Sequence, residues 1–201
     1  MMSLLEGNVE ILRQRILQVF GVLNKEREFY GHMNELCFKL MMISIFQTET
    51  KMEIKSEMPV YRSSGKYGFI DLFVSCEHGQ LIFELKYLSV MNFFGMDYSA
   101  FEGMDWKMKN TNMEKMITKI QSLSHDEFLD TKVLAYVNGK LEPVFIREHL
   151  KQKEEEQTTT YGEGLKHVNK HKQYLKPDKP TLLVTGLLCA GNTGWKLSHL
   201  R

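Results

Sequence analysis

Residues 67–87 read YGFIDLFVSCEHGQLIFELKY. Two apolar-rich runs flank Glu77-His78-Gly79-Gln80, a short turn with glycine where a positive φ is expected. The pattern predicts a β-hairpin of strands 67–76 and 80–87. Pairing Glu77 with Gln80 sets Asp71 opposite Lys86 and Phe73 opposite Glu84. Strand alternation then gathers Asp71, Phe73, Ser75, Ile82, Glu84 and Lys86 on one face. The other face, Ile70, Leu72, Val74, Cys76, Leu81, Phe83, Leu85 and Tyr87, is apolar throughout. It has to be covered, most simply by a helix.

Upstream, residues 51–62 read as a strand leading into the hairpin. Before it stand two helical patterns. In residues 8–24, Val9, Leu12, Ile16, Val19 and Leu23 recur at helical spacing. In residues 25–46, Phe29, Met33, Leu36, Leu40 and Ile43 form an apolar stripe, while Glu28, His32, Glu35 and Lys39 form a polar one. Downstream, residues 88–150 read as an insertion, with a helix over 113–123 and a strand pair, 132–137 and 141–146, turned at Asn138-Gly139. A basic helix over 164–175, GLKHVNKHKQYL, precedes a buried-type strand over 181–188. The tetrapeptide Gly191-Asn192-Thr193-Gly194 reads as a turn, and Trp195 as part of a short closing segment. The expected class is α/β, and the absence of repeats or Pro/Gly-rich linkers favours one domain over 1–201.

The 201 residues are 43% apolar and 25% charged, which excludes a disordered chain and allows a core that needs no disulfide or metal. Three widely spaced cysteines, Cys37, Cys76 and Cys189, fit neither a disulfide framework nor paired CxxC zinc units. Glu6, Glu10, Arg13 and Arg15 interrupt any signal-type apolar stretch, and the run Leu40 to Phe46 is far short of the ~20 residues that span a bilayer. An intracellular protein of cytoplasm or nucleus, with no membrane partner, is expected. The net charge of +1 conceals a division: residues 164–201 hold 7 basic and 1 acidic side chains, against 19 and 24 in residues 1–163.

Asp71 and Glu84 come out as diagonal neighbours across the hairpin, about 7–8 Å apart at the backbone, close enough for both carboxylates to hold one hard cation. Lys86, on the same face, would lie beside a metal-bound water and could orient it or stabilise charge developing on phosphorus. Spacing alone also fits a solvated face of a half-exposed hairpin. The apolar neighbours Phe73 and Ile82 weigh against that, because partly buried carboxylates need a cationic partner.

Gly68-Phe69-Ile70-Asp71, followed after twelve residues by Glu84-Leu85-Lys86 at the end of an apolar strand, resembles the PD-(D/E)XK nuclease superfamily. FYGHMNELCFKLM, KSEMPVYRSSGKYGFIDLFV and LIFELKY look most like the nuclease-like domain found C-terminal to AAA-ATPase-like domains. The resemblance covers roughly residues 28–87 and, more faintly, 161–189. It implies a restriction-endonuclease-like core of helix, three-stranded antiparallel meander, helix and strand, with an insertion after the third strand. It also implies Asp71 and Glu84 as magnesium or manganese ligands, the Leu85 carbonyl as a third, Lys86 as the catalytic lysine and Glu35 as the acidic residue of the first core helix. Where the superfamily has a proline before the first aspartate, this chain has Ile70; where it often has a glutamine in the second core helix, His167 aligns.

Some RNA-cutting members take a metal ligand from the region of His32, although a lone helix histidine also reads as a surface group. His167 and His171 stand four apart but lack the glutamate of HExxH. With Lys166, Lys170 and Lys172 they read as a basic face suited to phosphates, hence to DNA or RNA. The function implied is a metal-dependent endonuclease that hydrolyses phosphodiester bonds. The alternative is an inactive nucleic-acid-binding or protein-interaction module of the same fold. A homodimer, or a partner ATPase or targeting chain, is compatible with either.

Overall fold

The computed structural model describes residues 2–23, 33–48, 52–61, 67–95, 105–137, 139–153, 156–157, 160–161, 164–165, 175–176 and 178–200. The chain runs α1 (Met2–Leu5), α2 (Glu10–Leu23), α3 (Glu35–Gln47), β1 (Glu53–Tyr61), β2 (Tyr67–Ser75) and β3 (Gln80–Tyr87). It continues through α4 (Val90–Phe93), α5 (Trp106–Ser122), α6 (His125–Leu129), β4 (Lys132–Val137), β5 (Lys140–Phe145) and α7 (Ile146–Lys153) to β6 (Thr181–Cys189) and β7 (Asn192–His199). Among the described residues no helix is long and apolar enough to cross a membrane.

Five strands form one sheet in the order β1-β2-β3-β6-β7, and β4 pairs with β5 in a separate ribbon. The meander β1-β2-β3 is antiparallel, β6 joins β3 in parallel, and β7 returns antiparallel to β6. The class is therefore mixed α/β with a mostly antiparallel sheet. Strand β6 is buried along all but its first residue, as its unbroken TLLVTGLLC requires of a strand with neighbours on both edges.

Apolar clusters lie on both faces of this sheet. One joins Leu72, Val74, Leu81, Phe83 and Val184 to Ile16 and Phe20 of α2 and to Phe38, Met42 and Phe46 of α3. The other joins Phe73, Ile82 and Leu183 to Tyr161 and Leu165. Trp195 belongs to the first cluster and lies against Gly186, where a Cβ would come within 2.3 Å of the indole ring. Packing the indole this close to the sheet thus requires glycine at that position.

Several expectations need correction. The apolar stripe expected on the second helix is core only in part: Met33 is buried and Ile43 packs against the first cluster, but Leu36 is 59% and Leu40 57% exposed, and Phe38, Met42, Ile45 and Phe46 take the buried side. That helix is apolar on most sides, so periodicity could not choose its buried side. It begins at Glu35 among the described residues, and residues 25–32 of the expected span lie outside them. The helix expected over 113–123 starts at Trp106. Helix α7 went unforeseen, because the charges of Ile146–Lys153 mask a buried edge of Ile146, His149 and Leu150. The reverse turn is Ala190-Gly191, with φ of 48° and 91°, rather than Gly191–Gly194, and Asn192–His199 is a full strand. Asn192 is buried there: it accepts from Arg13 and donates to the carbonyls of Ile120 and Leu123, so a turn-type residue serves instead to tie three elements together. Expected strands β1, β2, β3, β4, β5 and β6 are present within a residue or two of their predicted bounds.

Candidate active site

The hairpin that carries the candidate residues turns one residue earlier than the sequence suggests, and Gly79 is not at positive φ. Cys76 donates its N–H to the Gly79 carbonyl at 3.0 Å, so the loop is Glu77-His78. The register becomes Ser75 with Gln80, Phe73 with Ile82 and Leu72 with Phe83. Expected pairs therefore shift by two residues. Phe73 opposes Ile82 rather than Glu84, and the same register continued one step past the last pair sets Asp71 level with Glu84 rather than with Lys86. A two-residue shift leaves the alternation of each strand unchanged.

The β2–β3 ladder ends at Leu72–Phe83, and the strands part beyond it. Into this fork goes the Asp71 carboxylate, whose Oδ2 accepts the Leu85 N–H at 2.8 Å. In an extended strand the carbonyl of a residue points to the same edge as its N–H, so the Leu85 carbonyl also lies on the side of the fork.

The fork coincides with a bend in the whole β1–β2 hairpin. Ile54 of β1 packs on the first apolar cluster, yet Met58 and Val60 pack on the second. On β2, Leu72 and Val74 join the first cluster and Ile70 the second, although alternation alone puts all three on one face. Between these halves sits Glu57, with φ of 52°, level with Asp71. A left-handed residue inside a strand rotates the backbone beyond it, and the switch of sides is the consequence. The expected apolar face was thus right for Leu72 and Val74 and wrong for Ile70.

At this corner helix α3 supplies two side chains. Asn34 caps its first turn, its Oδ1 accepting the Cys37 N–H at 3.0 Å. Glu35 and Lys39, four residues apart, then share a helix face toward the fork. Lys39 Nζ is 3.2 Å from Asp71 Oδ1 and also donates to Glu57. Lys86 Nζ is 2.7 Å from Glu84 Oε1 and 3.5 Å from Glu35 Oε1. Lys39, Asp71 and Glu84 are buried, at 6%, 8% and 3% exposure.

Burial raises the Glu84 pKa to about 7; Lys86 opposes this shift, and the nearby Asp71 carboxylate adds to it. Burial also lifts Glu35 above the ordinary carboxylate range, against the pull of Lys86. The two lysines behave in the opposite way. Desolvation disfavours the Lys86 ammonium, but Glu84, Glu35 and Asp71 outweigh it and raise its pKa. Desolvation likewise works against Lys39, and Glu57 and Asp71 overcome it. Both lysines are therefore cations at neutral pH and have no free pair to accept a proton.

The structure brings together Asp71, Glu84, Lys86 and Glu35, and sets Leu85 beside them. His32 lies outside the described residues, as do Lys166, Lys170 and Lys172 and the histidines His167 and His171. Two members of the cluster were not singled out from sequence. Lys39 stands in the same polar stripe as Glu35, a signal that was present, but its burial against Asp71 depends on how the helix docks. Glu57 carries no sequence signal, because nothing in EIKSEMPVY marks a non-glycine residue for left-handed backbone.

The donor set suits a hard divalent cation. Among the described residues Glu84 Oε2 has no hydrogen-bond partner although it is buried, an arrangement that a cation would relieve. With every group ionised, the four carboxylates of Glu35, Glu57, Asp71 and Glu84 outnumber the two ammonium groups and leave two negative charges. Among the described residues no three His, Cys, Asp or Glu side chains converge on one point. Magnesium does not require them, since it is commonly bound by one or two carboxylates and keeps several waters. Comparison with protein families, curated proteins and solved structures returns no match. The geometry of this fork is what a functional reading has to rest on.

Proposed function

We propose that the chain is a metal-dependent nuclease that hydrolyses phosphodiester bonds of DNA or RNA at the β2–β3 fork. The observation that carries this reading is the set of ion pairs at the fork, Lys39 with Asp71 and Lys86 with both Glu84 and Glu35, beside Glu84 Oε2, which is buried without a hydrogen-bond partner among the described residues. The order of helix, antiparallel meander and parallel return strand supports a restriction-endonuclease-like core.

Asp71 and Glu84 would hold magnesium or manganese, with the Leu85 carbonyl available as a neutral third donor. The metal would supply a water of lowered pKa and polarise the phosphoryl oxygens. Asp71 is held in place for this by the Leu85 N–H and the Lys39 ammonium. Lys86, kept charged by its carboxylate neighbours, donates hydrogen bonds: it orients the nucleophile and stabilises negative charge as phosphorus becomes five-coordinate. Glu35, half-exposed and within reach of Lys86, aims that ammonium and can accept a proton through a water.

The test is cleavage of single-stranded, duplex and branched DNA and of RNA with magnesium, manganese or EDTA. Metal-dependent cutting that Glu84→Ala and Lys86→Ala each reduce by about a hundredfold or more is expected. Failure of the wild-type chain to cut any of them with either metal would refute the reading.

A further inference from the structure

Beyond the bend at Glu57 the β1–β2 hairpin has an inner and an outer face of sharply different character. Its inner positions, Met58, Val60, Gly68 and Ile70, are buried. Its outer positions are Pro59, paired with Phe69, and Tyr61, paired with Tyr67. The three rings are exposed: Tyr61 38%, Tyr67 62% and Phe69 53%. On β2, Tyr67 and Phe69 lie just before Asp71, the residue at which the hairpin bends into the fork. Alternate residues of a strand are about 6.8 Å apart, which places the rings one and two such steps from Asp71.

We propose that Tyr61, Tyr67 and Phe69 form a stacking platform for unpaired bases, so that the substrate led to the fork is single-stranded nucleic acid. This rests on the phosphodiester reading of the fork and names the substrate class for it. Three features argue for that occupant. The exposed row is aromatic rather than aliphatic, and flat π-faces are what bases stack on irrespective of sequence. Tyr67 and Phe69 are one alternate-residue step apart on β2, with Tyr61 beside Tyr67 at 4.0 Å between ring centroids, so an extended polynucleotide can meet the two levels in succession. The same strand leads within two alternate-residue steps to Asp71, at the site where the polynucleotide backbone would be cut. A duplex keeps its base faces against one another and offers the rings nothing to stack on.

The experiment measures anisotropy of labelled oligo-dT, oligo-U and a DNA duplex of equal length, in EDTA, with the full chain. Wild type is compared with Tyr67→Ala/Phe69→Ala and with Tyr67→Phe. The exposure of these rings lets the variants fold, which urea denaturation verifies. The wild type is expected to bind at least one single strand more tightly than duplex. The double alanine variant is expected to lose about tenfold or more of that affinity, with duplex binding unchanged and Tyr67→Phe like wild type. The dT and U arms distinguish DNA from RNA.

No single-strand binding by wild type, or equal affinity in wild type and the double variant, overturns the platform. So does conversion of a dimer into a monomer by the same substitutions in sedimentation, which would assign the rings to a second copy of the chain. Cleavage with magnesium separates the two readings. Cutting by wild type with binding insensitive to the rings refutes the platform alone, and ring-dependent binding without any cutting refutes the phosphodiester reading alone.

Discussion

Lys39→Met removes one ammonium from the fork while keeping most of the side chain's length. The lysine is buried beside Asp71 at 3.2 Å, and the aspartate is itself only 8% exposed. Removing one partner of a buried pair leaves an uncompensated charge and costs about 3–5 kcal/mol. Asp71 keeps the Leu85 N–H, which puts the expected loss near the lower end, about 3 kcal/mol without metal. In a chain of this length that is about 6–12 °C in melting temperature. Magnesium then acts in the opposite direction: the variant has lost the cation that competes for Asp71, so the ion stabilises it more than it stabilises wild type. At a hundredfold excess over its Kd the gain is about 2.7 kcal/mol. The assay is urea denaturation tracked by circular dichroism, in EDTA and in magnesium, for wild type, Lys39→Met, Asp71→Asn and the double variant. A loss below about 1 kcal/mol in EDTA would refute the reasoning. Additive losses in the double variant would do the same, since residues in contact should couple by more than about 0.5 kcal/mol.

Three further outcomes are expected. Burial holds the His149 imidazole down at about 4, with Lys153 and Lys86 pushing the same way and Glu156 opposing. The unfolded chain therefore binds the extra proton between pH 6.5 and about 4: stability is full above that window and falls through it as pH drops, by about 3 kcal/mol in all, and His149→Phe should flatten the slope in urea titrations at several pH values. Asn34→Ala and Ser124→Ala each remove a helix N-cap and should each cost about 1 kcal/mol in urea midpoints, but only Asn34→Ala should also slow metal-dependent cleavage, because only that cap sets the turn from which Glu35 aims Lys86. Gly186→Ala drives a methyl group into the Trp195 ring and should cost about 1–3 kcal/mol, visible as a changed tryptophan emission and an earlier urea midpoint; unaltered emission would mean that the indole does not lie on this glycine.

Much of the sheet was readable in advance because its signals are local. Apolar alternation in 67–75 and 80–87, and the continuous apolar run of 181–189, mark strands wherever they end up. Strand β7 was not readable, because NTGWKLSH mixes turn formers with polar residues, and it is a strand only because β6 offers it an edge and Gly186 makes room for Trp195. In helix α3 the apolar residues surround the axis, so the sequence offers two possible core faces, and packing on Phe83 selects the one with Phe46, whose ring lies 5.5 Å from it.

The candidate site divides along the same line. That Asp71, Glu84 and Lys86 share a face follows from strand periodicity alone, and it survives a register shift because that shift is by two. Four things required the tertiary structure: the placing of the loop at Glu77-His78, which shifts the register by two, the opening of the strands that sends Asp71 to the Leu85 N–H, the left-handed Glu57 that turns the hairpin, and the docking of α3 that delivers Glu35 and Lys39. Alternation is a property of each strand, fixed by backbone geometry and legible one residue at a time. Register, twist and helix docking are set by contacts between segments dozens of residues apart, whose energies no single stretch of sequence contains.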